Sequence, residues 1–80
     1  MTNEMLEQKL GENPKVLHVA VGGDGKHYQL TIVSDEFVGK SKVKRQQWVY
    51  QMIKEYITAG DVHALSMTTW TKDEWEQRNG

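Results

Sequence analysis

The sequence predicts a small α+β domain with the element order α-β-β-α-β-α and a three-stranded sheet. Three observations carry that reading. Two alternating apolar runs, 15–21 and 27–33, flank the cluster Gly22-Gly23-Asp24-Gly25, which is the pattern of a β-hairpin. A long segment after Ser41 repeats its apolar residues at helical spacing. A third apolar run, Val62 to Trp70, then leads directly into Thr71-Lys-Asp-Glu74, a capping box that opens a last short helix.

The elements follow in order. Residues 3–10 place Met5, Leu6 and Leu10 on one helix face, with Gly11 as the stop and Pro14 blocking continuation. In the first strand Leu17, Val19 and Val21 share a face, and in the second Tyr28, Leu30 and Ile32 do. Residues 34–40 read as a loop with Phe37 as its apolar anchor. Ser41 is a good N-cap for a helix that runs to Thr58 and stops at Ala59-Gly60. Its expected apolar stripe is Val43, Tyr50, Ile53 and Ile57, widened by Val49, Met52 and Tyr56. No repeat, linker or low-complexity segment interrupts the chain, and residues 1–80 are read as one domain.

A domain of 80 residues buries roughly 60–65% of the surface its unfolded chain exposes. No apolar run approaches the ~18 residues of a membrane span. The acidic start Met-Thr-Asn-Glu-Met-Leu-Glu does not read as a secretory signal, so a cytoplasmic location is expected. There is no cysteine, which excludes disulfides and any thiolate site made by this chain alone, and fits a reducing compartment. A net charge of −1 argues against strong charge-driven binding of nucleic acid by the domain as a whole.

Chemistry concentrates on the histidines and one basic segment. His63 stands at the entrance of the third strand, with Asp61 near enough in sequence to orient it. Ser66 falls on the opposite strand face from His63, so no nucleophile–base pair can be assembled, and no enzymatic activity is expected. His27 follows the hairpin turn, where side chains are accessible; a solvated residue is the plainer reading there. His18 alternates with Leu17 and Val19 and belongs to the more polar sheet face. Two imidazoles are too few for a closed zinc site, which wants four ligands. They can instead form a half-site completed by a partner's thiolates, since iron–sulfur clusters accept mixed histidine and cysteine ligation. The segment Lys40-Ser-Lys-Val-Lys-Arg45 puts Lys42, Lys44 and Arg45 in the first turns of a helix, where the dipole disfavours cations. It is either a solvated helix start or an anion-binding edge for phosphate, glutathione carboxylates or an acidic partner.

Several motifs together resemble the BolA family, most closely its IbaG-like bacterial branch. They are Gly23-Asp-Gly-Lys-His27-Tyr, Phe37-Val-Gly-Lys-Ser41, Val43-Lys-Arg-Gln-Gln47 with Val49-Tyr50, and Val62-His-Ala-Leu-Ser66 ending in Trp-Thr-x-x-Glu-Trp75. The resemblance spans about Val16 to Trp75. The chain departs from the family's founding member at Arg45-Gln46-Gln47-Trp48-Val49, where that member resembles Arg-His-x-x-Val. The resemblance implies a class II KH-like fold and partnership with a CGFS-type monothiol glutaredoxin. The pair would bridge a 2Fe–2S cluster, with glutathione and the glutaredoxin cysteine supplying thiolates and no cluster on this chain alone. By motif match, His63 takes the position of the family's C-terminal histidine ligand and His27 that of the hairpin-loop ligand. Lys40, Lys42, Lys44 and Arg45 would then steer the glutaredoxin or glutathione. The expected function is a non-enzymatic adaptor in iron–sulfur trafficking or iron sensing. The alternative is a KH-like nucleic-acid-binding transcriptional regulator of the stress response, using the same basic residues.

Overall fold

Hydroxyl side chains set the helix starts. In the computed structural model, which describes residues 2–24, 27–60 and 64–78, Thr2 caps α1 (Asn3–Gly11) by accepting the Met5 N–H. Ser41 caps α2 (Lys42–Thr58) by accepting the Lys44 N–H at 3.3 Å. Thr71 and Glu74 form the expected reciprocal capping box at the start of α3 (Lys72–Gln77). Each cap satisfies backbone donors that the first helical turn leaves unpaired. At the other end of α2, Gly60 adopts a φ of 82°, the left-handed conformation that terminates a helix.

Strands β1 (Val16–Gly23) and β2 (His27–Ser34) pair antiparallel, and β3 (Ala64–Trp70) lies parallel to β2. The sheet order is β1-β2-β3, so β2 is central. The expected third-strand residues Val62 and His63, and Asp61 before them, lie outside the described residues, as do Gly25 and Lys26 of the turn.

One face of the sheet meets α1 and α2. Leu6 and Leu10 from α1, Tyr28, Leu30 and Ile32 from β2, and Val49 and Ile53 from α2 form one cluster with Phe37, and all are essentially inaccessible to solvent. Phe37 belongs to a 3-10 turn, Asp35–Phe37, inside the stretch read as a loop. Ser34 starts that turn: its buried hydroxyl donates to the Lys15 carbonyl at 2.7 Å and accepts the Glu36 N–H at 3.1 Å. The short α3 covers one end of the opposite face, where Trp75 meets Trp70 edge-on at 5.9 Å.

Three sequence expectations about burial are corrected. Leu17 does not share a face with Val19 and Val21. Pairing shifts between Val16 and His18, so β1 carries one extra residue; Val16 turns toward the core and Leu17 is left exposed. Met5 also faces solvent, leaving Leu6 and Leu10 as the core face of α1. On α2 the core face is centred on Val49 and Ile53, with Trp48, Met52 and Tyr56 packed beside them. Val43, Tyr50 and Ile57, expected at the centre of the stripe, are exposed. A helix with apolar residues around much of its circumference does not announce which sector its neighbours will cover.

Candidate functional site

His27 opens β2, and the backbone on both sides of the turn fixes its place. Asp24 Oδ1 accepts the His27 backbone N–H at 2.9 Å. The same carboxylate oxygen stands 3.9 Å from the imidazole Nδ1. Gly23, which ends β1, has a φ of 136° and pairs with Tyr28. The His27 imidazole projects into solvent, with 75% of its side chain exposed, so an approaching molecule can reach it.

The strand register then sets the first residue of β3 beside His27. His27 pairs with Ala64, the first residue of β3, and Ala64 follows His63 in the chain. His63 itself lies outside the described residues. His18, by contrast, pairs with Val33 one strand over. Its ring stacks on Trp75 at 5.0 Å, and Arg78 covers the other ring of that stack, 3.5 Å from the Trp75 centroid. Among the described residues, no three His, Cys, Asp or Glu side chains converge to hold a metal ion.

The basic segment divides. Lys42 and Lys44 are exposed on the first turns of α2. Lys40 reaches Glu36 at 3.5 Å and lies 6.0 Å over the Trp48 ring. Arg45 turns inward, with only 14% of its side chain exposed. Its Nε donates to the Lys40 carbonyl at 3.0 Å, and its Nη1 donates to Glu74 Oε1 at 2.9 Å and to the Thr69 carbonyl at 3.4 Å. The guanidinium also lies 5.9 Å over the Phe37 ring. Arg45 therefore ties α2 to β3 and α3. The unfavourable dipole position that marked it in the sequence is offset by a carboxylate from another element, which spacing along α2 does not reveal.

Two glutamates in this region hold their acid constants below the ordinary value of 4.5. Glu36 does so through the Lys15 ammonium, 2.7 Å away, and secondarily through Lys40. Glu74 does so through the Thr71 backbone N–H, then through Arg45. A folded-state value below the unfolded one adds stability that is fully present above the unfolded value and drains as pH falls through the folded value. A double variant, Glu36→Gln with Glu74→Gln, is therefore expected to be less stable than the parent at neutral pH. The two urea midpoints should converge as the pH falls below the ordinary glutamate value and through the lowered folded-state values. A gap that stays constant across that range would contradict the assignment.

Sequence reasoning missed the role of Asp24, although an aspartate three residues before a histidine across a glycine turn is a legible signal for such a bond. It also missed the His18–Trp75–Arg78 stack, whose members are far apart in the chain. A broad groove of about 630 Å³ between α1 and α2 contains the Lys9–Glu55 ion pair and no histidine.

A family model for BolA-like proteins matches residues 3–74. The chain belongs to the BolA family. This BolA-family chain is similar to the acid stress protein IbaG of Escherichia coli strain K12, at 39% identity over 75 residues, covering 94% of this chain and 89% of IbaG. Among solved structures it is similar to a BolA protein homologue from Coxiella burnetii, with a TM-score of 0.84 and 27% identity over 96% of this chain and 99% of the other. It is also similar to yeast Fra2, with a TM-score of 0.77 and 32% identity over 96% of this chain and 86% of Fra2. The three-stranded sheet and three helices expected from the sequence are those of these BolA-fold neighbours. Among the described residues, no helix is long and apolar enough to cross a membrane.

Proposed function

We propose that this BolA-family protein is a non-enzymatic adaptor in iron–sulfur cluster trafficking or iron sensing. It binds a CGFS-type monothiol glutaredoxin and co-ligates a bridging 2Fe–2S cluster. His63 is the main ligand and His27 the accessory one; glutathione and the glutaredoxin cysteine supply the thiolates. The observation that carries the reading is the pairing of His27 with Ala64, the residue next to His63 in the chain. It sets His27 beside the residue that follows His63 in the chain, in a protein that has no cysteine. The exposure of His27 supports a site completed from outside. Membership of the BolA family, whose model matches residues 3–74, supports the reading. Bound there, such a cluster would take imidazole in place of thiolate on one iron, a substitution that raises its potential.

The nucleic-acid reading draws less support from the site. Of the four basic residues it would use, Arg45 is engaged internally and Lys40 faces Glu36, which leaves Lys42 and Lys44. The whole chain carries a net charge of −1.

The test mixes the protein with a monothiol glutaredoxin, glutathione, iron and sulfide, and follows visible absorption and circular dichroism. The mixture is expected to develop a cluster spectrum that neither the BolA-family protein alone nor the glutaredoxin alone reproduces. His63→Ala should shorten the cluster lifetime more than His27→Ala, and His18→Ala should leave the spectrum unchanged. A full cluster on the isolated protein, or an intact spectrum in the His63→Ala, His27→Ala double variant, would sink the reading.

A further inference from the structure

We propose that the glutaredoxin docks on the sheet face opposite α1 and α2, the uncharged face of Ala20, Gly22, Gln29, Thr31, Ser66 and Thr68 on which His27 stands. The inference rests on the cluster-sharing function proposed above and names the surface that function uses. Alternation sets the face. Tyr28, Leu30 and Ile32 enter the core beside α1 and α2, so His27, Gln29 and Thr31 take the other side of β2. The register carries the face across the sheet. Gln29 pairs with Gly22 and Ser66, and Thr31 pairs with Ala20 and Thr68. His27 and Ala64 form the end row of the same face.

Helix α3 covers only the far end. There Trp75 stacks on His18 and meets Trp70 edge-on, and both of these pair with Val33. Beyond that row Ala20, Gly22, Gln29, Ser66 and Thr68 are exposed and Thr31 is half-buried. From His27 to Thr31 and across three strands, the uncovered patch measures about 13 by 10 Å. None of the residues of β1, β2 and β3 is Asp, Glu, Lys or Arg, in a chain of which 26% is charged. A sheet face given to water carries the polar half of the strand pattern. Depletion of charge is instead the mark of the centre of a protein interface.

The His27 ring selects the occupant. Imidazole and thiolate bonds to a metal are short, about 2.0–2.3 Å, so a cluster held by His27 keeps the thiolate-bearing partner against the face from which that ring projects. Helix α2, with its lysines, packs on the opposite face. A second copy would bring no cysteine to the imidazole. Nucleic acid would find no cation on the strands to meet its phosphates. A patch of this size is small for a stable interface, so the cluster holds the pair together as much as the face does, and the loaded complex is the species to test.

The test uses the full-length protein, deuterated except for its Ala and Thr methyl groups, with a protonated monothiol glutaredoxin, glutathione, iron and sulfide. Cross-saturation from the glutaredoxin is expected to attenuate the Ala20, Thr31 and Thr68 methyls and to spare those of Thr58 and Ala59, which line the groove between α1 and α2. Gln29→Glu and Gln51→Glu make the same isosteric change at two exposed positions, one on the face and one in that groove. Gln29→Glu should weaken the loaded complex about tenfold, because its carboxylate loses hydration against a neutral contact without gaining a partner. Gln51→Glu should stay within about twofold of the parent. A normal cluster spectrum with attenuation at Thr58 and Ala59 instead, or with Gln29→Glu binding like the parent, overturns the docking face and leaves the cluster-sharing function standing. No cluster in the parent mixture overturns both. Attenuation of the same methyls by a second copy of the isolated protein, or by a single-stranded DNA 12-mer, in place of the glutaredoxin also overturns the docking face.

Discussion

Phe37→Ala is expected to cost about 3–5 kcal/mol, as truncation of a fully buried aromatic does. A chain of 80 residues has a total stability of only about 4–12 kcal/mol, so the loss is roughly a quarter of the total or more and should appear as a large fall in the urea midpoint at 25 °C. The size of the effect comes from how many elements meet at this ring. It is inaccessible to solvent and sits in the core between β2 and α2. Trp48 packs against it edge-on at 5.4 Å, and the Arg45 guanidinium lies over it at 5.9 Å. Removing the ring opens a cavity and also loosens Arg45, which holds α2 to β3 and α3. Phe37→Leu, which keeps most of the apolar volume, should lose roughly 1–1.5 kcal/mol. A loss below about 1 kcal/mol for the alanine variant would mean that the core closes over the gap and that the packing described is not what holds this turn.

Gly23→Ala is expected to damage both fold and site. Gly23 has a φ of 136°, in the region that side-chain-bearing residues rarely adopt. A Cβ placed there would collide with the backbone carbonyl oxygen of His27, and it would approach the Tyr28 Cα to 3.1 Å. Both obstacles are backbone, so no rotamer change relieves them. The strands must part at the Gly23–Tyr28 pair, which displaces His27 from its Asp24 contact. The backbone strain alone is worth about 1–3 kcal/mol, and cluster lifetime in the glutaredoxin mixture should fall at least as far as with His27→Ala. Gly22→Ala is the matched control, because nothing lies within 4 Å of its Cβ position; it should be neutral within about 0.5 kcal/mol. Equal behaviour of the two variants, in stability and in the His27 amide resonance, would refute this account of the turn.

The two expectations have different visibility in the sequence. Phe37 stood out as the apolar residue of a polar stretch. Gly23 stood out only as one of several glycines, and its positive φ and its closeness to His27 belong to the folded hairpin.

By itself the sequence determined the element order, the N-caps at Ser41 and Thr71, the stop at Gly60, and the exposed position of His27 beside a tight turn. These follow from interactions within a few residues: a hydroxyl meeting the backbone three positions on, a glycine free to turn left-handed, a period of two or of 3.6. Tertiary structure alone decided that Val16 rather than Leu17 faces the core, because an extra residue in β1 changes phase against β2. It decided which sector of α2 is covered, because that depends on where α1 and the sheet stand and not on α2. It turned Arg45 from the expected basic edge into an internal tie, since its partner Glu74 arrives from a helix 29 residues away in the chain. And it set His27 opposite the residue after His63, since parallel pairing of β2 and β3 joins segments that the whole of α2 separates in sequence.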